Sequence, residues 1–488
     1  MEIFLSRFFK FLLSITKKIL YDRIDENIER KYYSMLKKIK VWLNKLSPAQ
    51  AISGYYLLAV TVSVLLLSIP AVHLPGVKIA FIDTVFTAVS AVSVTGLTVV
   101  DISETYSTFG YFVIMFVLQF GGIGIMALGT FFWLILGRKI GLRSRRLIMA
   151  DHNQFALSGL VNLIREIIKI ILVIEIIGAL ILGFHFLKYY PTWQESFLHG
   201  LFASVSATTN AGMAITGTSL VPYKGDYFVQ LINILLIMLG AIGFPVLIEA
   251  KQYLYNKKNE QGLSFRFSLF TKVTTITYAI LFVLGTIAIF VLEFQNYFKG
   301  MSWHESFFYA LFQSATTRSA GLTTMDISEF SIPTLLVLSI LMFIGASPSS
   351  VGGGIRTTTF ALNILFVFHF TKGIRDIKIF NRELHQDDIL KSLAITILAS
   401  GMCFISVVIL CFTEKQHELI EIIFEVCSAF GTTGLSMGIT PDLSITGKGI
   451  IMILMFIGRI GLTSFLFIIG GKEKKANYHY PKERIITG

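Results

Sequence analysis

Long apolar stretches alternate with short ones along this chain, and each short one runs into a glycine. Eight stretches are long enough for a helix that crosses a bilayer, which needs about 20 mostly apolar residues. They lie near 51–70, 109–136, 164–187, 226–250, 268–294, 333–370, 392–413 and 447–470. Between the members of each consecutive pair sits a shorter apolar segment, near 81–94, 194–209, 304–317 and 417–431. Segments of that length suit re-entry on one face rather than a full crossing.

The short segments align on a single glycine. They read Phe86-Thr-Ala-Val-Ser-Ala-Val-Ser-Val-Thr-Gly96, Phe202-Ala-Ser-Val-Ser-Ala-Thr-Thr-Asn-Ala-Gly212, Leu311-Phe-Gln-Ser-Ala-Thr-Thr-Arg-Ser-Ala-Gly321 and Phe424-Glu-Val-Cys-Ser-Ala-Phe-Gly-Thr-Thr-Gly434. The glycines stand 116, 109 and 113 residues apart. A period of that kind marks one unit copied in tandem: helix, re-entrant helix, glycine turn, helix. The predicted fold is therefore an all-α polytopic membrane protein of four helix–pore-loop–helix units in pseudo-fourfold arrangement around a central pore. The units fall at 51–137, 164–254, 268–370 and 392–470, preceded by a cytoplasmic amphipathic region at 1–50 and followed by a cytoplasmic tail at 471–488.

Composition agrees, and it excludes the alternatives. Hydrophobic residues make up 54% and charged residues 15%, too little polar surface for soluble domains and too much apolar content for disorder. Lysine and arginine set the orientation. The N-terminal 50 residues, the connections 137–165, 251–272 and 371–391 and the tail after Gly470 carry 32 of them, against 6 in the loops on the opposite side. Both termini are thereby expected in the cytoplasm. The short segments then must enter and leave on the outer face. Three cysteines in apolar stretches rule out a disulfide framework. The first twenty residues lack a small-residue cleavage site and suit a basic amphipathic helix on the inner membrane surface.

Non-helical backbone at membrane depth needs a protein interior or a wet cavity. Four like units can enclose such a cavity, each aiming a helix C-terminus, with its partial negative charge, at the axis. Glycine permits the positive φ that turns carbonyls inward, and rings of carbonyls replace the hydration shell of K⁺. The predicted filter residues are Val94, Thr95 and Gly96; Asn210, Ala211 and Gly212; Ser319, Ala320 and Gly321; and Thr432, Thr433 and Gly434, with K⁺ held by their backbone carbonyls.

The sixth stretch is too long and is broken in its middle by Gly345-Ala-Ser-Pro-Ser-Ser-Val-Gly-Gly-Gly-Ile-Arg-Thr-Thr-Thr359. Proline and consecutive glycines do not continue a helix. Without Gly-Lys-Ser/Thr at the required spacing and a preceding strand, the stretch is not a phosphate-binding loop. It is expected to lie across the pore below the filter as a gate, through Gly345, Ser347, Pro348, Gly352, Gly353 and Gly354. Arg459, inside the last span, either bridges two helices or sets a positive charge beside that loop. Arg318, just before the third glycine, is expected behind the filter, bonded to backbone carbonyls or a carboxylate.

These residues and the repeat resemble the Trk/Ktr/HKT superfamily of potassium transporters over roughly residues 50–470. The run Ser428-Ala-Phe-Gly-Thr-Thr-Gly-Leu-Ser-Met-Gly-Ile-Thr-Pro441 is the most specific piece, followed by Ala315-Thr-Thr-Arg-Ser-Ala-Gly-Leu322. The chain is similar to the membrane subunit of a bacterial Ktr system. That resemblance implies a K⁺-translocating homodimer in the plasma membrane, docked on a cytosolic ring of nucleotide-binding (RCK-type) regulatory subunits, with Na⁺-dependent uptake. It also implies an intramembrane gating loop in the third unit and a barrier charge at Arg459. Glycine at all four filter positions goes with K⁺ selectivity in that family.

Two other classes compete. A solute or cation symporter with a midplane site would need symmetric breaks in inverted halves, and the sequence offers one asymmetric break. An enzyme would need a clustered catalytic or metal-binding set, and the nine histidines are scattered. Membrane lipid is an expected contact of the basic connections; nucleic acid and organic cofactors are not expected.

Overall fold

The computed structural model describes residues 48–124, 160–255, 265–374, 376–462 and 465. The expected amphipathic helix of the N-terminal region and the C-terminal tail lie outside them.

Each unit opens on one long apolar helix: α1 (Pro48–Leu67), α4 (Leu160–Phe186), α8 (Leu269–Glu293) and α12 (Gln386–Thr413). These four are long and apolar enough to cross a membrane. Each is followed by a short helix whose bounds fall within two residues of the short segments read above: α2 (Phe81–Ser93), α5 (Trp193–Thr208), α9 (Trp303–Thr316) and α13 (Leu419–Gly431). The fold class stands, with one addition. The connection after the third unit carries a two-residue hairpin, β1 (Lys378–Ile379) paired to β2 (Arg382–Glu383), through a turn with positive φ at Phe380 and Asn381, as tight hairpins require.

The second helices correct an expectation. One break was read, at Gly345, yet every unit stops its second helix early. α3 (Thr108–Ile123), α6 (Tyr227–Ala241), α10 (Ile332–Ile344) and α14 (Ile445–Ile460) end at or near Gly124, Gly243, Gly345 and Gly461, with φ of 94°, 103°, 71° and 85°. A positive φ cannot continue a right-handed helix. After Gly243 the chain resumes as α7 (Phe244–Tyr255), bent 103° from α6. After Gly345 it resumes only at α11 (Thr357–Thr371).

Caps fix where the second helices start. The Ser107 hydroxyl accepts from the Gly110 amide at 3.2 Å, the Asp226 carboxylate from Phe228 at 3.1 Å, and the Ser444 hydroxyl from Gly447 at 3.1 Å. Each satisfies an orphan amide of the first turn. In the third and fourth units the first helix reaches over to help. Glu293 accepts from the Ser331 amide at 3.0 Å and Glu414 from the Ser444 amide at 3.1 Å.

Packing between units is cyclic. The second helix of each unit lies against the short helix of the next: α3 on α5, α6 on α9, α10 on α13, and α14 back on α2. Fourth and first units thus close a circle. Lys448 in α14 seals the seam with an ion pair to Asp83 in α2 at 2.8 Å.

Candidate ion pathway and gate

The C-terminal ends of α2, α5, α9 and α13 converge, and the turns that follow form a closed ring. A Cβ added at Gly96 would strike the carbonyl oxygen of Ala211 and come 3.0 Å from the Cα of Gly212. One at Gly212 would stand 2.9 Å from the Ala320 oxygen and 3.0 Å from the Cα of Gly321. One at Gly321 would strike the Thr433 oxygen and stand 3.1 Å from the Cα atoms of both Gly212 and Gly434. One at Gly434 would strike the Thr95 oxygen, 3.0 Å from the Cα of Gly96. The order 96, 212, 321, 434, 96 returns on itself. In each gap sits the carbonyl of the residue preceding a ring glycine.

Each turn uses the same backbone device. Positive φ occurs at the ring glycine and again two residues earlier, at Val94 (56°), Asn210 (54°), Ser319 (78°) and Thr432 (47°). For the β-branched Val94 and Thr432 this is a strained conformation, of the sort that persists only where surroundings over-determine it. They do. The amides of Thr95, Ala211 and Thr433 donate to the carbonyls of Ser90, Ser206 and Ser428 at 2.8–2.9 Å, and that of Ala320 to Thr316 at 2.9 Å. All eight of the residues flanking the ring glycines on their N-terminal side are fully buried.

Side-chain hydroxyls divide the turns into two kinds. In the first and fourth, Ser90 and Ser428 accept from the amides of Gly96 (3.1 Å) and Gly434 (3.0 Å). In the second and third, Ser206 and Thr316 instead donate to the carbonyls of Met213 (2.6 Å) and Leu322 (2.7 Å), just past the glycine. Sequence reading missed these tethers, although the Ser/Thr-rich runs were their signal.

Residues 345–356 lie directly against this ring. The Gly353 amide donates to the Ser319 hydroxyl at 3.1 Å, and that hydroxyl donates to the Thr432 carbonyl at 2.7 Å. A side chain at Gly352 would meet Ser319 at 2.5 Å and one at Gly353 would meet the Thr432 hydroxyl at 2.5 Å. The segment also bonds to the break between α6 and α7. The Ser347 amide donates to Ala241 at 3.0 Å, and the Phe244 amide donates to Ser349 at 2.8 Å. Gly345 packs on the Gly353 carbonyl and Gly354 on that of Ile344, which folds the segment back beside its own origin. Pro348 presents its carbonyl 2.8 Å from where a Gly243 side chain would stand.

Two guanidiniums hold it. Arg356 donates to the carbonyls of Ser347 and Gly352, closing the segment on itself. Arg459, from α14, donates to Val351 in the segment and to Gly121 at the end of α3. Arg459 thus stands beside the loop and also joins α14 to α3, through backbone carbonyls. Behind the ring, Arg318 departs from expectation. It is fully buried, but its recorded hydrogen bond is a 3.5 Å contact from Nη2 to the Thr317 hydroxyl, and Nε and Nη1 have no partner among the described residues. Beyond the segment opens a cavity of about 730 Å³ lined by Arg356, Arg459, Ser349, Thr358, Asp388 and Lys391 among others. Among the described residues no cluster of three or more His, Cys, Asp or Glu could hold a metal; oxygen-rich backbone is the donor set here.

Comparison with known proteins agrees in outline. The family model described as "TrkH: Cation transport protein" matches residues 32–476. The Ktr system potassium uptake protein D of Bacillus subtilis is 60% identical over 446 residues, covering 91% of this chain and 98% of that protein. The Ktr system potassium uptake protein B of the same organism is 35% identical, covering 92% and 99%. The potassium/sodium uptake protein NtpJ of Enterococcus hirae is 32% identical, covering 91% and 98%. Among solved structures, the potassium transporter TrkH from Vibrio parahaemolyticus superposes with a TM-score of 0.69 at 18% identity, covering 96% of this chain and 97% of that one. At that identity the likeness concerns the fold.

Proposed function

This chain belongs to the TrkH family of cation transport proteins, and on that premise we propose that it takes up potassium ions through the ring of four glycine turns. The chain is a potassium uptake transporter of Ktr/Trk type, as its relatives' names imply. A single observation carries the pathway: the ring at Gly96, Gly212, Gly321 and Gly434 closes on itself, with a backbone carbonyl between each neighbouring pair. Four carbonyls on one axis, backed by four helix C-termini, offer a dehydrating monovalent cation oxygen ligands and negative potential without a fixed charge.

Residues 345–356 then act as the gate. Their contact with Ser319 and Thr432 and their clamping by Arg459 support that reading. A cation leaving the ring on that side meets two guanidiniums, which raise its barrier. Uptake depends on Na⁺, a reading supported by the potassium/sodium name of the Enterococcus relative. The protein works as a homodimer in the bacterial plasma membrane, with both termini cytoplasmic, under a cytosolic nucleotide-binding ring; the "Ktr system" names support a partner subunit.

The symporter alternative gains one observation, the early halt of every second helix. Yet those halts follow the same cyclic order as the ring rather than two inverted halves, which is what a midplane site between broken helices requires. The deciding experiment is K⁺ uptake in cells lacking their own K⁺ transporters, with and without Na⁺ and a regulatory partner. Growth and uptake at low K⁺ are expected, raised by Na⁺; absence of K⁺ uptake under every combination would overturn the proposal.

A further inference from the structure

The four turns are not held alike on their outgoing side. In the second and third, a pore-helix hydroxyl pins the residue just after the ring glycine, at Met213 and Leu322. In the fourth, the matching hydroxyl of Ser428 is engaged by the Gly434 amide. The chain leaving Gly434 is tied elsewhere. Glu425, three residues before Ser428 on α13, is 1% exposed, and its Oε1 accepts from the hydroxyl of Thr440. The Thr440 oxygen lies 3.0 Å from the Ser436 hydroxyl, which in turn accepts from the Gly438 amide at 3.0 Å. Gly438 itself turns at a φ of 94°. One buried carboxylate thus organises the loop 435–440. Its other oxygen, Oε2, has no partner among the described residues.

Burying a carboxylate is costly, and nine residues before the other ring glycines stand Thr87, Ala203 and Phe312, so the repeat itself does not demand an acid. The fourth turn does have a special burden. Thr432 is β-branched in a left-handed conformation, and its carbonyl takes the Ser319 hydroxyl that also meets the gate segment. We propose that Glu425 is a positioning residue for the fourth filter turn: through Thr440 and Ser436 it holds the outgoing chain, so that the Thr433 carbonyl and Gly434 keep their place in the ring. This rests on the filter reading.

The test is K⁺ uptake with competing Na⁺ and Rb⁺ in cells or proteoliposomes, on full-length protein whose membrane insertion has been verified. Glu425→Ala should lower K⁺-over-Na⁺ discrimination about tenfold, the factor carried by one buried hydrogen bond, chiefly by raising the half-saturating K⁺ concentration. Thr440→Val, which removes the bridge and keeps the acid, should shift it in the same direction. Glu425→Gln, which retains an acceptor for Thr440, should restore discrimination to within about twofold of the unaltered protein. Gly434→Ser serves as the reference for the ring itself. Wild-type discrimination in Glu425→Ala and Thr440→Val, with discrimination lost in Gly434→Ser, would overturn the positioning role and leave the filter standing. If Gln behaves as Ala does, charge rather than the hydrogen bond matters and the assignment falls. If Gly434→Ser is also unaffected, the filter reading is what has failed. Should Glu425→Ala not insert, Thr440→Val alone decides.

Discussion

The glycine ring and the segment that lies against it are both made of unusual backbone, but they are held in different ways. The ring is assembled four times from one recipe: a short helix, a left-handed residue, a carbonyl, a left-handed glycine. Each copy is fastened mainly to its own helix, by bonds such as Thr95 to Ser90 and Thr433 to Ser428. Residues 345–356 occur once. Beside bonds within the segment, such as Arg356 to Gly352 and Ala346 to Gly353, they are tied to separate parts of the molecule: to Ala241 and Phe244, to Ser319 and to Arg459. A turn fastened locally and repeated around an axis has no cheap alternative conformation. A segment held by a few bonds to separate elements can exchange them. On the proposed function the first region selects and the second gates, and mutations should separate the two.

The largest effect is expected from the ring. Gly321→Ser puts a side chain between the Cα atoms of Gly212 and Gly434 and against the Thr433 carbonyl, at a φ that disfavours any Cβ. K⁺-over-Na⁺ discrimination in flux assays should fall by at least about tenfold; an unchanged ratio would break the assignment of selectivity to the ring. Deleting residues 347–353 comes next. It should raise uptake in the absence of a regulatory partner several-fold, on the order of 1 kcal/mol of barrier, with the K⁺/Na⁺ ratio preserved. Unchanged flux would remove the gate. Arg459→Gln should act in the same direction by roughly threefold, since it frees Val351 from Gly121 and removes a charge that opposes the cation. The smallest effect belongs to Ser319→Ala, because its hydroxyl serves both regions at once, taking the Gly353 amide and giving to the Thr432 carbonyl. Flux and selectivity should both move by about twofold. Movement of only one would sharpen the boundary between the regions.

What the sequence made legible follows the same division. The ring could be read because its parts repeat: four short apolar segments of similar length and four glycines at matched offsets survive as a pattern even where individual letters differ. The short helices begin and end within two residues of that reading. The strain could not be read, because Val94 and Thr432 carry side chains whose local preference opposes a left-handed backbone. The bonds that fix it are backbone to backbone, from the following amides to the carbonyls of Ser90 and Ser428, and side-chain identity does not disclose them. The early halts at Gly124, Gly243 and Gly461 carry weaker marks: Gly121 and Gly122 precede the first, Gly240 and Pro245 flank the second, and Gly458 precedes the third. One glycine in an apolar run weakens a helix by only about 1 kcal/mol, and these sparser groups signal a break less strongly than the proline and three consecutive glycines after Gly345. Arg318 shows the limit for charges: burial was foreseeable from its place beside the filter glycine, but among the described residues the carbonyls or carboxylate expected around it are not its partners, and the hydroxyl it reaches is that of Thr317, the residue before it. Arg356 escaped notice as a clamp because its acceptors are carbonyls of its own segment, which no residue type betrays.

The central claim is that backbone oxygens from the four turns jointly replace water around the transported ion. Crystals grown with rubidium in place of potassium test it most directly, through anomalous scattering from the bound ion. The account predicts a peak on the axis among the carbonyls of Thr95, Ala211, Ala320 and Thr433. Rubidium peaks only at other places in the protein, with none inside the ring, would contradict it.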